Sequence, residues 1–162
     1  MERLSAASSI IEADANLHTV DLGRLLGASS LGNVTGQLHF GGGSPTFLDN
    51  DEIARMMDLL TEHFPLEADG EFSMEVDPRS CPPEKVEQLA KVGLNRMSCG
   101  VQDFNADVQK AVNRIQPFEM TRETMMAARE NGFKSINMDL IYGLPKQTRA
   151  TFEKTLDQVI EL

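Results

Sequence analysis

With 162 residues, 41% of them hydrophobic and 25% charged, the chain has the size and balance of one soluble globular domain with a core of its own. Its formal net charge of −10, without a basic stripe, excludes nucleic acid as a partner. No apolar run approaches the ~20 residues that cross a bilayer and no signal sequence opens the chain, so we expect a cytoplasmic protein without a membrane partner.

The predicted elements alternate between helices and strands. Residues 3–27 carry a loose helical stripe of apolar side chains, and a strand follows at residues 37–41. Asp49 and Glu52 then predict the capped start of a helix that runs to about residue 63. The same patterns predict three further strands, at residues 71–77, 94–102 and 134–142, and four further helices, at residues 82–92, 105–113, 120–131 and from about 152 to the end.

A run of three glycines follows the strand at residues 37–41. Gly41, Gly42 and Gly43 have no side chains, so a ligand could approach the main-chain N–H and C=O groups directly. Pro45 restricts Ser44 to an extended conformation, which would direct its hydroxyl away from the strand end. The spacing matches no nucleotide-binding glycine motif. Taken by itself, the stretch is equally consistent with a tight turn that leads from strand to loop.

The faces of the predicted strands indicate a curved sheet. Strand and helix alternate about every 30 residues, which is typical of a parallel sheet, yet parallel strands buried on both faces are usually apolar throughout. Here each strand has one apolar face and one face of small or polar side chains. A partial barrel would account for both observations, with helices on the outer face and a cavity on the inner face. The predicted fold class is therefore α/β, with the parallel strands of a partial TIM-like barrel.

Polar residues at the ends of the predicted strands are candidate ligand contacts. Gly42, Glu75, Gln102 and Asp139 each lie at or near a carboxyl end, where parallel strands present their side chains to one cavity. A carboxylate such as Glu75 in a closed interior needs water or a ligand that donates to it. Taken singly, Glu75 or Asp139 is also consistent with a surface residue or the partner of a nearby base, and Gln102 alone carries no signal. The three histidines are interpreted as structural or exposed, and we name no catalytic residue and no metal ligand.

From residue 37 onward the chain resembles the oxygen-independent coproporphyrinogen III oxidases, also called coproporphyrinogen dehydrogenases, of the radical S-adenosylmethionine (SAM) superfamily. The matching runs are HFGGGSPTFL, EVDPR, GLNRMSCGVQDFN, VQKAVNRIQ and DLIYGLPKQT. Many radical enzymes share GGGSP, whereas the combination of EVDPR, GVQDFN and AVNRIQ favours the oxidase over the related haem chaperone. The resemblance implies a six-stranded (β/α)6 partial barrel, of which this chain holds strands two to five.

The resemblance also implies two SAM molecules and a [4Fe–4S] cluster. By motif match, Gly42 and Glu75 would hold the SAM molecule at the cluster. Five residues would contact the second SAM molecule: Gly43, Ser44, Gln102, Arg114 and Asp139. In the family, reductive cleavage of SAM yields a 5′-deoxyadenosyl radical, and an electron donor reduces the cluster. The implied substrate is coproporphyrinogen III, of which two propionates become vinyl groups to give protoporphyrinogen IX in haem biosynthesis.

The chain departs from the family at the cluster. The motif C-x-x-x-C-x-x-C, which supplies three thiolates to the [4Fe–4S] cluster, does not occur in the 162 residues, and neither Cys81 nor Cys99 can replace it. Ser44 stands where the family usually has threonine, which keeps the hydroxyl. We therefore expect an internal part of the barrel domain, without the cluster-binding segment and the C-terminal region, that is inactive by itself.

The residues are also consistent with two other functions. One is a haem chaperone or tetrapyrrole-binding protein that keeps the barrel without oxidase activity. The other is a metal-dependent barrel lyase in which Glu75 and Asp139 would be oxygen ligands of a divalent ion.

Overall fold

The computed structural model describes residues 34–162, which form one four-stranded parallel sheet with helices packed on it. The helix predicted at residues 3–27 lies outside the described residues. The strands are β1 (Thr35–Phe40), β2 (Leu66–Val76), β3 (Arg96–Gln102) and β4 (Ser135–Leu140). The helices are α1 (Asn50–His63), α2 (Pro83–Lys91), α3 (Ala106–Ala111), α4 (Phe118–Glu130) and α5 (Arg149–Glu161), with short 3-10 turns at Pro45–Phe47 and Pro78–Ser80. Within this part of the chain, no helix is long and apolar enough to cross a membrane.

The sheet follows the order of the chain, β1-β2-β3-β4, and every neighbouring pair is parallel. Its register brings residues of the polar face side by side. Glu75 of β2 pairs with Ser98 of β3, and Gly100 of β3 pairs with Asp139 of β4. The predicted α/β class with parallel strands at regular spacing is confirmed, and β1 and β4 are the edge strands of the described sheet.

One face of the sheet carries the hydrophobic core. Met74 and Met97 pair across β2 and β3, and each is only 1% exposed. Helices α2 and α4 cover them with residues such as Leu89 and Ala128. Complete burial of a side chain of this size contributes about 1.5–3 kcal/mol. The predicted division of the strands into an apolar and a polar face is therefore confirmed, and the helices leave the polar face uncovered.

The helix and strand boundaries follow local chemistry where the sequence carried a signal. The carboxylate of Asp49 accepts from the main-chain N–H of Glu52, and the carboxylate of Glu52 accepts from the N–H of Asp49, both over 2.8 Å, so the predicted capping box is present. Strand β2 begins five residues before the predicted start. Its first residue, Leu66, is the partner of Thr35 in β1, and the side chains of residues 67–69 are exposed, so this part of the strand has no alternating pattern.

Candidate functional site

An open cavity of about 410 Å³ lies against the polar face of the sheet. This volume is within the range of small-molecule sites in proteins. All four strands contribute polar side chains to its lining: Gln37, His39, Glu71, Ser73, Glu75, Arg96, Ser98, Asn137 and Asp139. The predicted arrangement, helices outside and a polar cavity inside, is therefore present in the described residues.

Glu75 is the carboxylate that the glycine loop contacts. The main-chain N–H of Gly42 donates to Glu75 Oε2 over 3.1 Å, and Gly42 has a φ of +82°, which glycine adopts without strain. A Cβ at Gly41 would lie 3.0 Å from Glu75 Oε1 and 2.7 Å from His39 Nε2. Two glycines therefore permit the close approach of main chain and carboxylate. The loop does more than turn the chain, because it holds Glu75.

His39 lies beside the same carboxylate. Its Nδ1 is 2.8 Å from Ser73 Oγ, and its Nε2 is 3.8 Å from Glu75 Oε1. No lysine or arginine in residues 34–162 forms an ion pair with Glu75, whose side chain is 47% exposed. His39 is exposed, as predicted, but its contacts with Ser73 and Glu75 at the cavity have no counterpart in the sequence pattern.

Asp139 faces the cavity from the other edge of the sheet. Its Oδ2 accepts a hydrogen bond from Ser98 Oγ over 2.8 Å. Its register partner in β3 is Gly100, so no side chain from that position covers the carboxylate. Glu75 and Asp139 thus approach one cavity from different strands, with Ser98 between them.

Gln102 and Arg114 meet next to Gly100. A Cβ at Gly100 would lie 3.1 Å from Gln102 Nε2 and 3.2 Å from Arg114 Nη2, so glycine leaves the space that both side chains use. Arg114 Nη2 donates to the carbonyl of Gly100 over 2.9 Å. Arg114 Nε is buried and has no partner within residues 34–162. Gln102 has a φ of +68°, and two residues of β3 there oppose one of β4, as in a β-bulge.

Asp77, two residues after Glu75, fixes Arg114. Its Oδ2 is 3.3 Å from Arg114 Nη1 and accepts from Arg79 Nη2 over 2.6 Å. Burial raises the pKa of Asp77, but the hydrogen bonds from Arg79 and the charges of Arg114 and Arg79 outweigh it, so the pKa lies below its ordinary value. The ionised carboxylate therefore stays between the two guanidinium groups. Asp77 belongs to the EVDPR run, yet only the fold reveals that Arg114 is its partner.

Gly43 and Ser44 stand apart from these groups. Gly43 has a φ of +60°, and open space surrounds the position where a Cβ would lie. Ser44 is exposed and extended, as Pro45 predicts, with φ −137° and ψ 91°. Both therefore lie at the tip of the glycine loop, and the structure brings neither into contact with Glu75, Gln102, Arg114 or Asp139.

The segment after the glycines is anchored by residues that the sequence did not single out. Lys85 Nζ donates to the carbonyl oxygens of Thr46 and Leu48, and Thr46 Oγ1 lies 2.7 Å from Ser80 Oγ. Thr46 is 1% exposed. Because these partners are 34 to 39 residues apart in the chain, no local pattern could have indicated them.

The two cysteines lie away from the cavity. Cys81 and Cys99 are both 0% exposed, and burial raises the pKa of each thiol to about 12. In the part of the chain that the structure describes, no three His, Cys, Asp or Glu side chains converge to hold a metal ion. The residues present therefore do not fit a [4Fe–4S] cluster, which needs thiolates that reach it.

Comparison with known proteins gives a family match over most of the chain. A family model described as the radical SAM superfamily matches residues 22–159. The oxygen-independent coproporphyrinogen III oxidase of Escherichia coli is 51% identical over 131 residues, and that of Helicobacter pylori strain J99 is 46% identical over 143 residues. These alignments cover 81% and 88% of this chain but only 29% and 31% of the relatives. The chain thus spans less than a third of the length of these relatives.

Solved structures also superpose on this chain. The coproporphyrinogen III oxidase of E. coli, described as a radical SAM enzyme, superposes with a TM-score of 0.77 at 51% identity and covers 79% of this chain and 30% of that chain. Archaeal Methanocaldococcus infernus Elp3 superposes with a TM-score of 0.63 at 18% identity, over 86% of this chain and 36% of that chain, which is a likeness of fold alone.

Proposed function

The chain belongs to the radical SAM superfamily, and from this premise we propose that it forms the central part of an oxygen-independent coproporphyrinogen III oxidase. The superfamily implies SAM and a [4Fe–4S] cluster as cofactors. The proposed reaction is the oxidative decarboxylation of two propionates of coproporphyrinogen III to vinyl groups. The named relatives, at 51% and 46% identity, support this substrate. An electron donor for the cluster and a location in the cytoplasm stay predictions.

One observation carries the proposal: Glu75, fixed by the N–H of Gly42, lines the cavity together with Asp139. SAM carries an ammonium and two ribose hydroxyls, and a carboxylate that lacks a lysine or arginine partner suits such donors. In residues 34–162 the Glu75 carboxylate accepts a hydrogen bond from the main-chain N–H of Gly42 and lies 3.8 Å from His39 Nε2, and no lysine or arginine pairs with it. Glu75 is therefore proposed to bind the ammonium of the SAM molecule that lies at the cluster, with Gly42 holding the carboxylate in place.

A second SAM molecule is a finer proposal, and it rests on the group around Gly100. Arg114 has a buried Nε without a partner in residues 34–162, and a guanidinium matches the carboxylate of SAM. The amide of Gln102 would donate to or accept from the nucleoside, and the carboxylate of Asp139 would accept from its hydroxyl or amino groups. Gly43 and Ser44 are proposed to approach this molecule from the loop tip, where open space surrounds Gly43.

The cluster would come from outside these residues. Glu75 and Gly42 would hold SAM, and SAM together with such a cluster would supply the radical chemistry of the proposed reaction. The chain's own residues would bind and orient SAM. Glu75 and Asp139 would accept hydrogen bonds from it, and Arg114 would pair with its carboxylate. The helices on the core side cover the opposite face of the sheet. Because Cys81 and Cys99 do not fit the cluster, the 162 residues alone are proposed to be inactive.

A chimera tests the proposed function directly. Residues 37–160 of this chain would replace the aligned segment of the E. coli oxidase, which is 51% identical to this chain. We expect the chimera to convert coproporphyrinogen III to protoporphyrinogen IX under anaerobic conditions, as measured by mass spectrometry. A chimera that binds its cluster and cleaves SAM but forms no vinyl product would refute the substrate assignment. One that binds the cluster but not SAM would refute the assigned site.

The alternatives gain no specific support. A divalent-metal lyase needs several converging oxygen or nitrogen ligands, and residues 34–162 present no such group around Glu75 and Asp139. A haem chaperone or other tetrapyrrole-binding protein differs from the oxidase in catalysis rather than in fold. The chimera assay distinguishes the oxidase from the tetrapyrrole-binding protein, because only the oxidase yields the vinyl product.

A further inference from the structure

A buried carboxylate directly after β3 connects two loops at the rim of the site. Asp103 is 1% exposed, and burial of a carboxylate is costly unless donors satisfy it. Three donors do so: Asn105 N at 2.6 Å and Thr155 Oγ1 at 2.7 Å bond Oδ1, and Gln147 Nε2 at 2.6 Å bonds Oδ2. Asp103 therefore ties the end of β3 to the two segments that follow β4.

Gln147 shapes the loop that follows β4, residues 141–147, here called the rim loop. Its Oε1 accepts from the main-chain N–H groups of Gly143 over 2.6 Å and Leu144 over 3.3 Å. Its Nε2 donates to the carbonyl of Ile141 over 2.9 Å as well as to Asp103. One side chain thus determines the shape of the rim loop and fastens it to β3.

The rim loop in turn contacts Gln102. The N–H of Ile141 donates to the carbonyl of Gln102 over 3.0 Å. Gln102 has a φ of +68°, in the left-handed region that non-glycine residues seldom occupy. Such a conformation persists only where the surrounding structure determines it. Gln102 is held on both sides: Asp103 follows it in the chain, and Ile141 bonds its carbonyl.

A second branch extends the same network to the turn that carries Arg114. Gln109 Nε2 donates to the carbonyl of Asp103 over 2.9 Å and to the carbonyl of Gln116 over 2.6 Å. Gln109 Oε1 accepts from the N–H of Gln116 over 3.0 Å. Gln109 and Gln116 are 6% and 0% exposed. The turn at Arg114 is therefore joined through Gln109 to the same residue that anchors the rim loop.

We propose that the pair of Asp103 and Gln147 is a positioning clamp, which holds Gln102 in its left-handed conformation and so orients its side chain, beside Arg114, toward the bound SAM. Neither Asp103 nor Gln147 lines the cavity, so the clamp would act through Gln102. The ligand in this inference rests on the proposed function, whereas the clamp itself rests on the hydrogen bonds of Asp103 and Gln147.

The clamp can be tested by exchanging the hydrogen-bond donor and acceptor between Asp103 and Gln147. In Asp103→Asn an amide NH2 faces the donor of Gln147, and in Gln147→Glu two carboxylates face each other, so each single substitution breaks the bond. In the double variant the new amide donates to the new carboxylate, so the bond between the two side chains returns with its direction reversed, whereas the carbonyl of Ile141 still lacks the donor that Gln147 Nε2 supplied. We expect the amide protons of Ile141 and Gly143 to exchange with solvent about tenfold faster in each single variant and within about threefold of the parent rate in the double variant.

The same variants test the link to the ligand, with SAM binding measured by calorimetry on the chimera with the E. coli oxidase after its cluster is loaded. We expect affinity to fall about tenfold in each single variant and to recover in the double variant. Thr148→Ala is the matched control, because it removes the cap at the start of α5 next to Gln147 without touching the clamp. It should lower the unfolding midpoint and leave SAM affinity within about twofold of the parent.

The three possible negative results bear on different parts of the proposal. Unchanged amide exchange in both single variants would overturn the clamp. Altered and rescued exchange with constant SAM affinity would overturn its role in ligand positioning and leave a structural bond. A parent chimera that holds its cluster but binds no SAM would contradict the proposed site, together with the ligand part of this inference, while the exchange rates still decide the clamp.

Discussion

The main-chain N–H of Gly42 donates to Glu75 Oε2 over 3.1 Å, and this bond joins the loop after β1 to the end of β2. The other carboxylate oxygen lies 3.8 Å from His39 Nε2. Glu75 is thus oriented by neighbours from β1 and its loop, while nearly half of its side chain stays open to the cavity. A ligand with donors would complete the hydrogen bonding of this carboxylate.

The first prediction concerns the charge of Glu75. Glu75→Gln keeps the size of the side chain but removes the negative charge that would bind the ammonium of SAM. A hydrogen bond to a charged group contributes about 1.5–3 kcal/mol, so we expect the SAM affinity of the cluster-loaded chimera to fall roughly 10- to 100-fold in calorimetry. Glu67→Gln is the control, since Glu67 lies exposed on the same strand outside the cavity lining. Equal affinity for parent and Glu75→Gln would contradict the assignment.

The second prediction concerns the anchor of the glycine loop. Lys85 donates to the carbonyls of Thr46 and Leu48, and Lys85→Met leaves both oxygens without this donor. We expect a loss of about 1–3 kcal/mol in the free energy of unfolding, measured with urea, and faster proteolysis near residue 46. Lys91→Met removes only an exposed ion pair with Glu87 and should change the unfolding free energy by less than about 1 kcal/mol. A similar effect of both substitutions would argue against the anchor.

The third prediction concerns acid stability. The pKa of Asp77 lies below its ordinary value, because Arg79 and Arg114 outweigh the effect of burial. A carboxyl with a lowered folded-state pKa stabilises the protein above its unfolded-state pKa, about 3.9, and this contribution is lost as the pH falls through the folded-state pKa. We therefore expect Asp77→Asn to be less stable than the parent at pH 7, and the gap to narrow below about pH 4.

Urea unfolding at a series of pH values measures this effect. Asp107→Asn is the control, because Asp107 is exposed and lies 3.9 Å from Lys110 in a weak ion pair. The control should follow the parent at every pH. A constant gap between Asp77→Asn and the parent from pH 7 to pH 2 would show that the ionised form of Asp77 is not the source of the stability difference.

The fourth prediction concerns the cysteines. Burial raises the pKa of Cys81 and Cys99 to about 12, so both stay protonated thiols at pH 8, and alkylation requires a thiolate that the reagent can reach. We expect mass spectrometry to find no iodoacetamide adduct on the folded chain and two adducts after unfolding in guanidinium. Ser44→Cys places a thiol on the exposed loop tip and should react within minutes. Rapid modification of the folded parent would contradict the burial of these thiols.

The alternation of side chains predicted the two faces of the sheet well. In β3, Met97, Cys99 and Val101 are all at most 1% exposed, as period-two spacing indicates, because neighbouring side chains of a strand point to opposite faces. The capping box at Asp49 was equally readable, since its donor and acceptor lie three residues apart. The early start of β2 at Leu66 was missed, because main-chain pairing with β1 leaves no pattern in exposed side chains.

For the candidate site, the sequence named residues, and the structure shows where they lie and which groups they contact. Glu75 and Asp139 were identified from their positions at strand ends, and both line the cavity. Gln102 was also named from its strand end, whereas Arg114 was named only through family resemblance, and the structure groups the two at Gly100. Asp103 lay unremarked within GVQDFN, because its partners Gln147 and Thr155 are 44 and 52 residues away in the chain.

The sequence by itself determined the order of strands and helices, the face of each strand that enters the core, and the carboxylates presented at the strand ends, because each of these depends on residues within a few positions of one another. Tertiary structure alone decided which groups meet: Gly42 with Glu75, Asp77 with Arg114, and Asp103 with Gln147. Hydrogen bonds form over about 3 Å in space whatever the separation along the chain, so only the folded arrangement of the strands and the loops that follow them could bring these partners together.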